Sequence, residues 1–447
     1  MTQGRLSIKS KISIPKVFAG TRPNLQSKRK SGQVSGGSTK GRRVFVGMSG
    51  GVDSSVAAML LKNQGYDVTG VYLKCYVQPD RSCLREAMDA MEVAEKLGIP
   101  FHIWDFQKEY KERVINYMID GYRAGRTPNP DIECNREIKF GMFLEKALKW
   151  GADFVATGHY VRREPEFSSI NSQFSKKKPN PRLEIENYKL KIAKDFNKDQ
   201  SYFLWTLTQA QLKHALFPIG DYLKPEAREM AKKAGLSTAE KKDSQGICFL
   251  GKVSLDEFLK EYLPEKRGEV LNVAGEKLGE HNGAHFYTIG QRHIGVRLQV
   301  SGVSQKRKAE EEGKHETKPV YVASKDIKKN TLTVAEEGDE NLTQKEVELT
   351  GVNFINPEHS HILENVRMLK VMARVRYRQP LTRACIMYHV SRKSKTEENS
   401  KKQTKLRLVF DKPQKFVAKG QSAVFYAPAE VSAKEGGLEM IGGGIIL

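Results

Sequence analysis

"RRVFVGMSGGVDSSVAAMLLKNQG" (42–65) decides how this chain begins to fold. The apolar run 44–48 reads as a buried strand, two glycines supply a turn, and 54–64 reads as a helix closed by Gly65. The same cycle repeats downstream. "DVTGVYLK" (67–74) is a strand, 85–97 a helix with apolar residues at 87, 91, 94 and 97, "FHIWDF" (101–106) a strand and 109–123 a helix. A helix over 138–150, extending back toward 132, and a strand over 153–160 complete the pattern. Strands alternating with helices predict an α/β domain with a doubly wound parallel sheet, whose ligands sit at the carboxyl ends of the strands.

From about residue 265 the pattern changes to short strands punctuated by Gly and Pro, including 319–326, 331–338, 347–355, 371–379, 405–410 and 421–428. Such spacing predicts a C-terminal β-barrel. The chain of 447 residues is therefore divided into four parts. These are a basic leader (1–42), the α/β domain (43–251), a small central domain (252–318) and the barrel (319–447). Three polar stretches, 164–182, 304–318 and 391–405, carry no apolar period and read as mobile surface insertions.

Charge and composition narrow the function. Residues 1–43 hold eleven Lys/Arg and no acid, half of the formal net charge of +22. Basic, Ser-rich and acid-free is the pattern of a mitochondrial transit peptide, which predicts the mitochondrial matrix; a disordered RNA-binding arm in a cytoplasmic protein is the alternative. The remaining body is still basic, which suits a polyanionic partner such as nucleic acid, although a solvated basic surface is the common cause of such charge. No apolar run approaches the roughly 18–20 residues of a membrane span. Five irregularly spaced cysteines, Cys75, Cys83, Cys134, Cys248 and Cys385, argue against a secreted disulfide framework.

"SGGVDSS" (49–55) lies between strand and helix, where inward-turned backbone N–H groups and a helix N-terminus make an anion site. It lacks the Gly-Lys-Ser/Thr of a Walker A loop. It resembles the PP-loop of the ATP pyrophosphatases, which release pyrophosphate and transfer AMP to a substrate oxygen. In that resemblance Asp53 helps to hold Mg²⁺. Adenylation turns a carbonyl oxygen into a leaving group, and a thiolate or persulfide is its natural displacer.

Two cysteines sit in irregular segments that suit such chemistry. Cys134, in "RTPNPDIECNREIKF" (126–140), falls at a predicted helix N-terminus near Arg136, both of which favour the thiolate, whereas Asp131 opposes it. Asp131 is better used as an acid or base. Cys248, in "KKDSQGICFLG" (241–251), follows Lys241 and Lys242. Singly, each cysteine is more often a buried hydrophobe. In "ARVRYRQ" (373–379), Arg374, Arg376 and Arg378 alternate with Val375 and Tyr377, which predicts three guanidiniums on one strand face, suited to phosphates.

Taken in order, the PP-loop, "AGRTPNPDIECNREIKF", "ATGHY", "KDQSYFLWTL", "KKDSQGICFLG", "YTIGQR", "ARVRYRQ" and "GQSAVFY" are similar to the tRNA-specific 2-thiouridylases, of a mitochondrial type, over nearly all of 43–447. The resemblance implies ATP-dependent 2-thiolation of the wobble uridine (position 34) of tRNAs of the Lys, Glu and Gln type, by a monomer served by a sulfur-donor protein. It implies an ATP site at Gly47, Met48, Ser49, Gly50, Gly51, Val52, Asp53, Ser54, Leu73 and Gly158. It implies a target-base segment at Asn129, Pro130 and Asp131, and tRNA contacts at His159, Lys198, Asp199, Gln200, Arg376, Tyr377 and Gln421. Cys248 would carry the persulfide, and Cys134 would release its sulfur through a transient disulfide. Leu73 stands where the family usually has Met, and Met440 where many members have Cys; neither alters the chemistry.

Other chemistries stay open on the residues alone. Cys134 and Cys248, with Asp131, could instead ligate an iron–sulfur cluster. Another PP-loop RNA-modifying ligase, such as a lysidine-forming enzyme, or a GMP-forming amidotransferase, would not need two cysteines. No glutaminase cysteine stands at position 2, which is Thr. A non-catalytic tRNA-binding protein that keeps the fold is the third reading.

Overall fold

The computed structural model describes residues 39–76, 82–167, 185–243, 253–292, 294, 318–389, 405–428 and 437–447. The predicted leader lies almost wholly outside the described residues, as do Cys248 and most of the three polar insertions.

The first element pair follows from residue size. β1 (Arg43–Gly47) is a short run whose central Val44, Phe45 and Val46 are buried. α1 (Val52–Asn63) buries Val56, Ala57, Ala58 and Leu61 against it, and its two alanines let the helix lie close to the sheet. β2 (Asp67–Lys74), α2 (Ser82–Leu97), β3 (Phe101–Asp105), β4 (Phe154–Ala156) and, beyond the strands described next, β7 (Ala215–Leu216) complete a five-stranded sheet ordered β3-β2-β1-β4-β7. Every pair in it is parallel. The predicted doubly wound sheet is present, and its topological switch point falls between β1 and β4.

The helices are longer, and one strand shorter, than the sequence pattern predicts. The helical run after β3 spans 107–123, and the next spans 130–149 instead of starting near 132 or 138. That early start has a local cause. Asn129 accepts from the Asp131 and Ile132 N–H groups at 3.1 and 3.3 Å, and Pro130 supplies a pre-set first helical φ. β4 stops at Ala156 because Thr157, Gly158 and His159 leave the sheet to line a cavity.

Two β-rich bodies follow. β8 (Gly268–Leu271), β9 (Lys277–His281), β10 (Val320–Asp326) and β11 (Thr331–Glu336) form a four-stranded sheet ordered β10-β11-β8-β9. β10 and β11 fall on the barrel side of the sequence division at 318/319, yet β11 pairs with β8 in this separate sheet. β12 (Thr343–Phe354), β13 (Met368–Arg374), β14 (Thr382–His389), β15 (Lys405–Lys415), β16 (Ser422–Tyr426) and β17 (Glu439–Ile446) run in the order β12-β15-β14-β13-β16-β17. A β12–β17 pairing closes the six strands into an antiparallel barrel. β5 (Val161–Phe167) and β6 (Ile185–Ile192) form a hairpin that extends the sheet outward from β17. The start of the predicted insertion at 164 is thus part of a strand. Among the described residues no helix is long and apolar enough to cross a membrane.

Candidate active site

The switch point carries the site. Gly50 has φ +70, and a Cβ there would collide with the Glu86 carbonyl oxygen, so the turn after β1 requires glycine. α1 starts at Val52 with Gly51 as its N-cap and no side-chain cap, leaving its first N–H groups directed toward the turn. Ser54 Oγ takes a hydrogen bond from the Ser49 N–H at 3.1 Å and lies 3.3 Å from Ser49 Oγ. Gly158 packs so closely on the Asp53–Ser54 backbone that a Cβ would clash, which brings β4 against the helix start.

A cavity of about 280 Å³ opens here, lined by Gly47, Met48, Ser49, Asp53, Ser54, Leu73, Cys134, Gly158, His159 and Gln200 among the predicted site residues. Sequence reasoning alone did not single out Tyr72, Cys75, Tyr76, Cys83, Glu86, Tyr110, Lys139 and Thr157, which share the lining. Thr157 stands inside the quoted "ATGHY"; the others lie in strands and helices, or just after β2 in the case of Cys75 and Tyr76, where the pattern says nothing of a cavity. Gly50 and Gly51 form the turn and Val52 begins α1; these three predicted residues do not line the cavity. Asn129 acts as a helix cap, with Pro130 and Asp131 in the first turn.

Cys134 is buried and is the first residue of a π-helical stretch, Cys134–Met142, within the 130–149 run. Its sequence-derived place at the helix N-terminus is corrected: the helix starts four residues earlier, so its N-terminus, capped by Asn129, is a turn away. Arg136 is engaged by two carboxylates. Its guanidinium sits 2.6 Å from Glu133 and 3.0 Å from Glu137. The Glu133 carboxyl is buried, which raises its pKa to about 7 despite Arg136.

Asp53 is held by charge. Lys224, first residue of the helix Lys224–Lys233, donates to both Asp53 oxygens at 2.7 and 2.8 Å, and the Tyr160 hydroxyl donates to one of them at 3.0 Å. Burial, reinforced by the adjacent Asp53 carboxylate, pushes the Tyr160 hydroxyl far above the usual phenol range, so it remains a donor. His159 is buried with Nδ1 2.7 Å from Thr157 Oγ1. Burial, aided by Lys139, holds its pKa well below the usual range. The imidazole is therefore neutral and suits a base edge or ribose better than a phosphate.

The other predicted tRNA contacts are dispersed. Lys198 pairs with Asp243 at 2.6 Å. Asp199 is buried and pairs with Arg374 at 2.7 Å, so it braces the barrel and presents no free carboxylate. Gln200 reaches the cavity and accepts from the Tyr160 N–H. Gln421 donates to the Thr127 carbonyl at 2.8 Å, tying the barrel to the segment before Asn129. Tyr377 stacks on Phe203 with ring centroids 4.4 Å apart, and Arg376 donates to the Ile289 carbonyl. The predicted row of three guanidiniums is not formed, because β13 ends at Arg374, which is buried; Arg378 is exposed and has φ +64.

The residues present fit a nucleotide polyphosphate: a glycine-shaped cradle, an uncapped helix start, two hydroxyls and a carboxylate open onto one cavity. Among the described residues no group of three or more metal-binding side chains is gathered, so a Mg²⁺ ion here would be held by Asp53 together with phosphate oxygens.

Such a sheet, turn and cavity define a nucleotide-binding PP-loop domain, here joined to a small β-sheet body and a closed barrel. The family described as tRNA methyl transferase HUP domain matches residues 42–252, the tRNA methyl transferase PRC-barrel domain 256–336, and the Aminomethyltransferase beta-barrel domain 344–446. The tRNA-specific 2-thiouridylase MnmA of Streptococcus thermophilus (strain CNRZ 1066) is 39% identical over 412 residues, covering 90% of this chain and 95% of that protein. That of Bacillus licheniformis is 40% identical over 410 residues, covering 90% and 94%. Among solved structures, the U34-tRNA thiolase NcsA from Methanococcus maripaludis is similar with a TM-score of 0.29 at 15% identity, covering 50% of this chain and 64% of that one. The chain belongs to the tRNA-specific 2-thiouridylase family.

Proposed function

We propose that this enzyme transfers sulfur to C2 of the wobble uridine of tRNA at the expense of ATP. The observation that carries the reading is that Cys134 lines the same cavity as the PP-loop residues Ser49, Asp53 and Ser54. One cavity thus offers a polyphosphate cradle and a thiol. The uridine O2 attacks the α-phosphorus of ATP and pyrophosphate leaves, so that O2 becomes part of an AMP leaving group. Bound Mg²⁺ supplies charge neutralisation of the polyphosphate, with Asp53 as its protein ligand.

A persulfide on Cys248 then attacks C2, AMP departs, and sulfur bridges enzyme and base. The Cys134 thiolate attacks the Cys248 sulfur, forming a Cys134–Cys248 disulfide and releasing the 2-thiouridine. An external thiol returns both cysteines to the reduced state. Asp131, in the first turn before Cys134, handles the proton at the base. His159 and Gln200, which line the cavity, contact the flipped nucleotide.

The sulfur comes from a donor protein, and the substrates are tRNAs with Lys, Glu and Gln type anticodons. The chain acts as a monomer in the mitochondrial matrix; composition of residues 1–43 supports that location. The test is a tRNA thiolation assay with a sulfur donor. Cys248→Ala and Cys134→Ala are each expected to abolish product, with Cys134→Ala accumulating a thiol-cleavable enzyme–tRNA adduct. Wild-type product formation by Cys248→Ala would overturn the mechanism.

A further inference from the structure

Lys224 is absent from every motif discussed above, yet its ammonium pairs with two carboxylates beside the cavity. Its side chain is buried, and Nζ lies 2.7 and 2.8 Å from the two Asp53 oxygens and 2.8 Å from Asp243 Oδ1. Two carboxylates from distant parts of the chain thus converge on a single cation. Tyr160 adds a donor to Asp53, while Lys198 and Arg228 add ion pairs to Asp243 at 2.6 and 2.8 Å. The Lys224 N–H is itself anchored to Asp195 at 2.9 Å, which fixes the residue's place at the start of its helix.

We propose that Lys224 is the resident counter-cation of the pyrophosphate site, a positioning residue that holds Asp53 until a metal–polyphosphate complex claims it. The inference rests on the ATP reading given above. The physical need is plain. Asp53 opens onto the cavity in which phosphate oxygens would lie, and an uncompensated carboxylate there would repel them. With Lys224 in place the site is neutralised. When the metal–nucleotide complex arrives, Asp53 turns to the metal, and the ammonium keeps Asp243 while facing the phosphate oxygens.

A second bridge runs alongside the first. Lys241 Nζ donates to the Gly50 carbonyl at 2.9 Å and pairs with Asp89 at 2.5 Å. The segment 241–243 is therefore bonded to the PP-loop at both ends, through Lys241 and through Asp243–Lys224–Asp53.

The test uses the full chain without tRNA, so that no acceptor for AMP is present, the ATP analogue AMPPNP with Mg²⁺ in calorimetry, and Mn²⁺ alone in electron paramagnetic resonance. Lys224→Met is expected to weaken Mg²⁺·AMPPNP about tenfold or more, and Lys224→Arg to stay within about threefold of wild type. Lys224→Met is also expected to bind Mn²⁺ without nucleotide about tenfold more tightly than wild type, because two carboxylates then lack their ammonium; a merely structural lysine would not do this. Far-UV circular dichroism and Tm establish folding, and Lys224→Gln replaces the Met variant if that one does not fold. Wild-type Mg²⁺·AMPPNP and Mn²⁺ affinities in the charge-removed variant overturn the inference. So does an Arg variant that folds yet loses nucleotide as fully as Met. Failure of the wild-type chain to bind Mg²⁺·AMPPNP at all would overturn the ATP reading, and this inference with it.

Discussion

At the scale of single residues, the site depends on atoms that are absent as much as on those present. Gly50 occupies a left-handed turn against the Glu86 carbonyl, so Gly50→Ala must displace either the loop or α2. Its expected effect is a loss of nucleotide affinity of about tenfold or more, with the fold retained, as measured by calorimetry and circular dichroism. Glu133 has a different signature. Its pKa is raised from 4.5 to about 7, so the folded state favours the protonated form. Its contribution to stability is full below about pH 4.5 and is lost as pH rises through 7. Urea unfolding at pH 5 and pH 8 is expected to show wild type losing about 2 kcal/mol more than Glu133→Gln between those values. Equal slopes for the two proteins would remove Glu133 as the cause.

At the scale of elements, the helical run 130–149 and the end of β13 show where local pattern and fold part company. Asn129 and Pro130 are ordinary cap and first-turn residues, and they were legible as such in "RTPNPDIECNREIKF". What hid the true helix start was the expectation that the prolines belonged to a loop. The β13 stretch "ARVRYRQ" misled in the opposite direction. Alternation implied a strand with an arginine face, but the strand ends at Arg374, which packs beneath the barrel against Asp199. Only Arg378 of the three is exposed, held 5.3 Å from the Tyr377 ring centroid. Arg378→Ala is therefore expected to weaken tRNA binding at low salt and to lower the slope of log affinity against log salt by about 1. A filter-binding series across salt concentrations checks both.

At the scale of the whole molecule, the barrel is fastened to the catalytic domain through a buried polar seam. Asp199 pairs with Arg374, Tyr202 donates to the Ser422 carbonyl at 2.8 Å, Trp205 donates to Ser422 Oγ at 3.1 Å, and Ser201 Oγ lies 3.0 Å from the Tyr426 hydroxyl. Removing one member leaves a buried charge without its partner. Arg374→Met is expected to cost about 3–5 kcal/mol in urea unfolding, and the double change Asp199→Leu with Arg374→Met to recover part of it. Additive losses would show that the two residues act separately. The same seam explains why "KDQSYFLWTL" is so recognisable: its Asp, Ser, Tyr and Trp hold two bodies together, and only Gln200 reaches the cavity.

The sequence by itself determined the parallel sheet, the PP-loop and the existence of a terminal barrel. Each rests on short-range rules: apolar period, glycine turns and strand spacing act within a few residues. Ser49, Asp53, Ser54 and Cys134 could be named in advance from local motifs, and Gly47, Met48, Leu73, Gly158, His159 and Gln200 from the resemblance to the 2-thiouridylases. Tertiary structure alone decided that Asp199 is a brace, that β10 and β11 pair with β8, and that Lys224 sits on Asp53. Those facts are pairings across long stretches of chain, 171 positions in the case of Lys224 and Asp53. Charge attraction at a distance leaves no periodic trace in the sequence; it exists only once folding has excluded water and brought the two groups into contact.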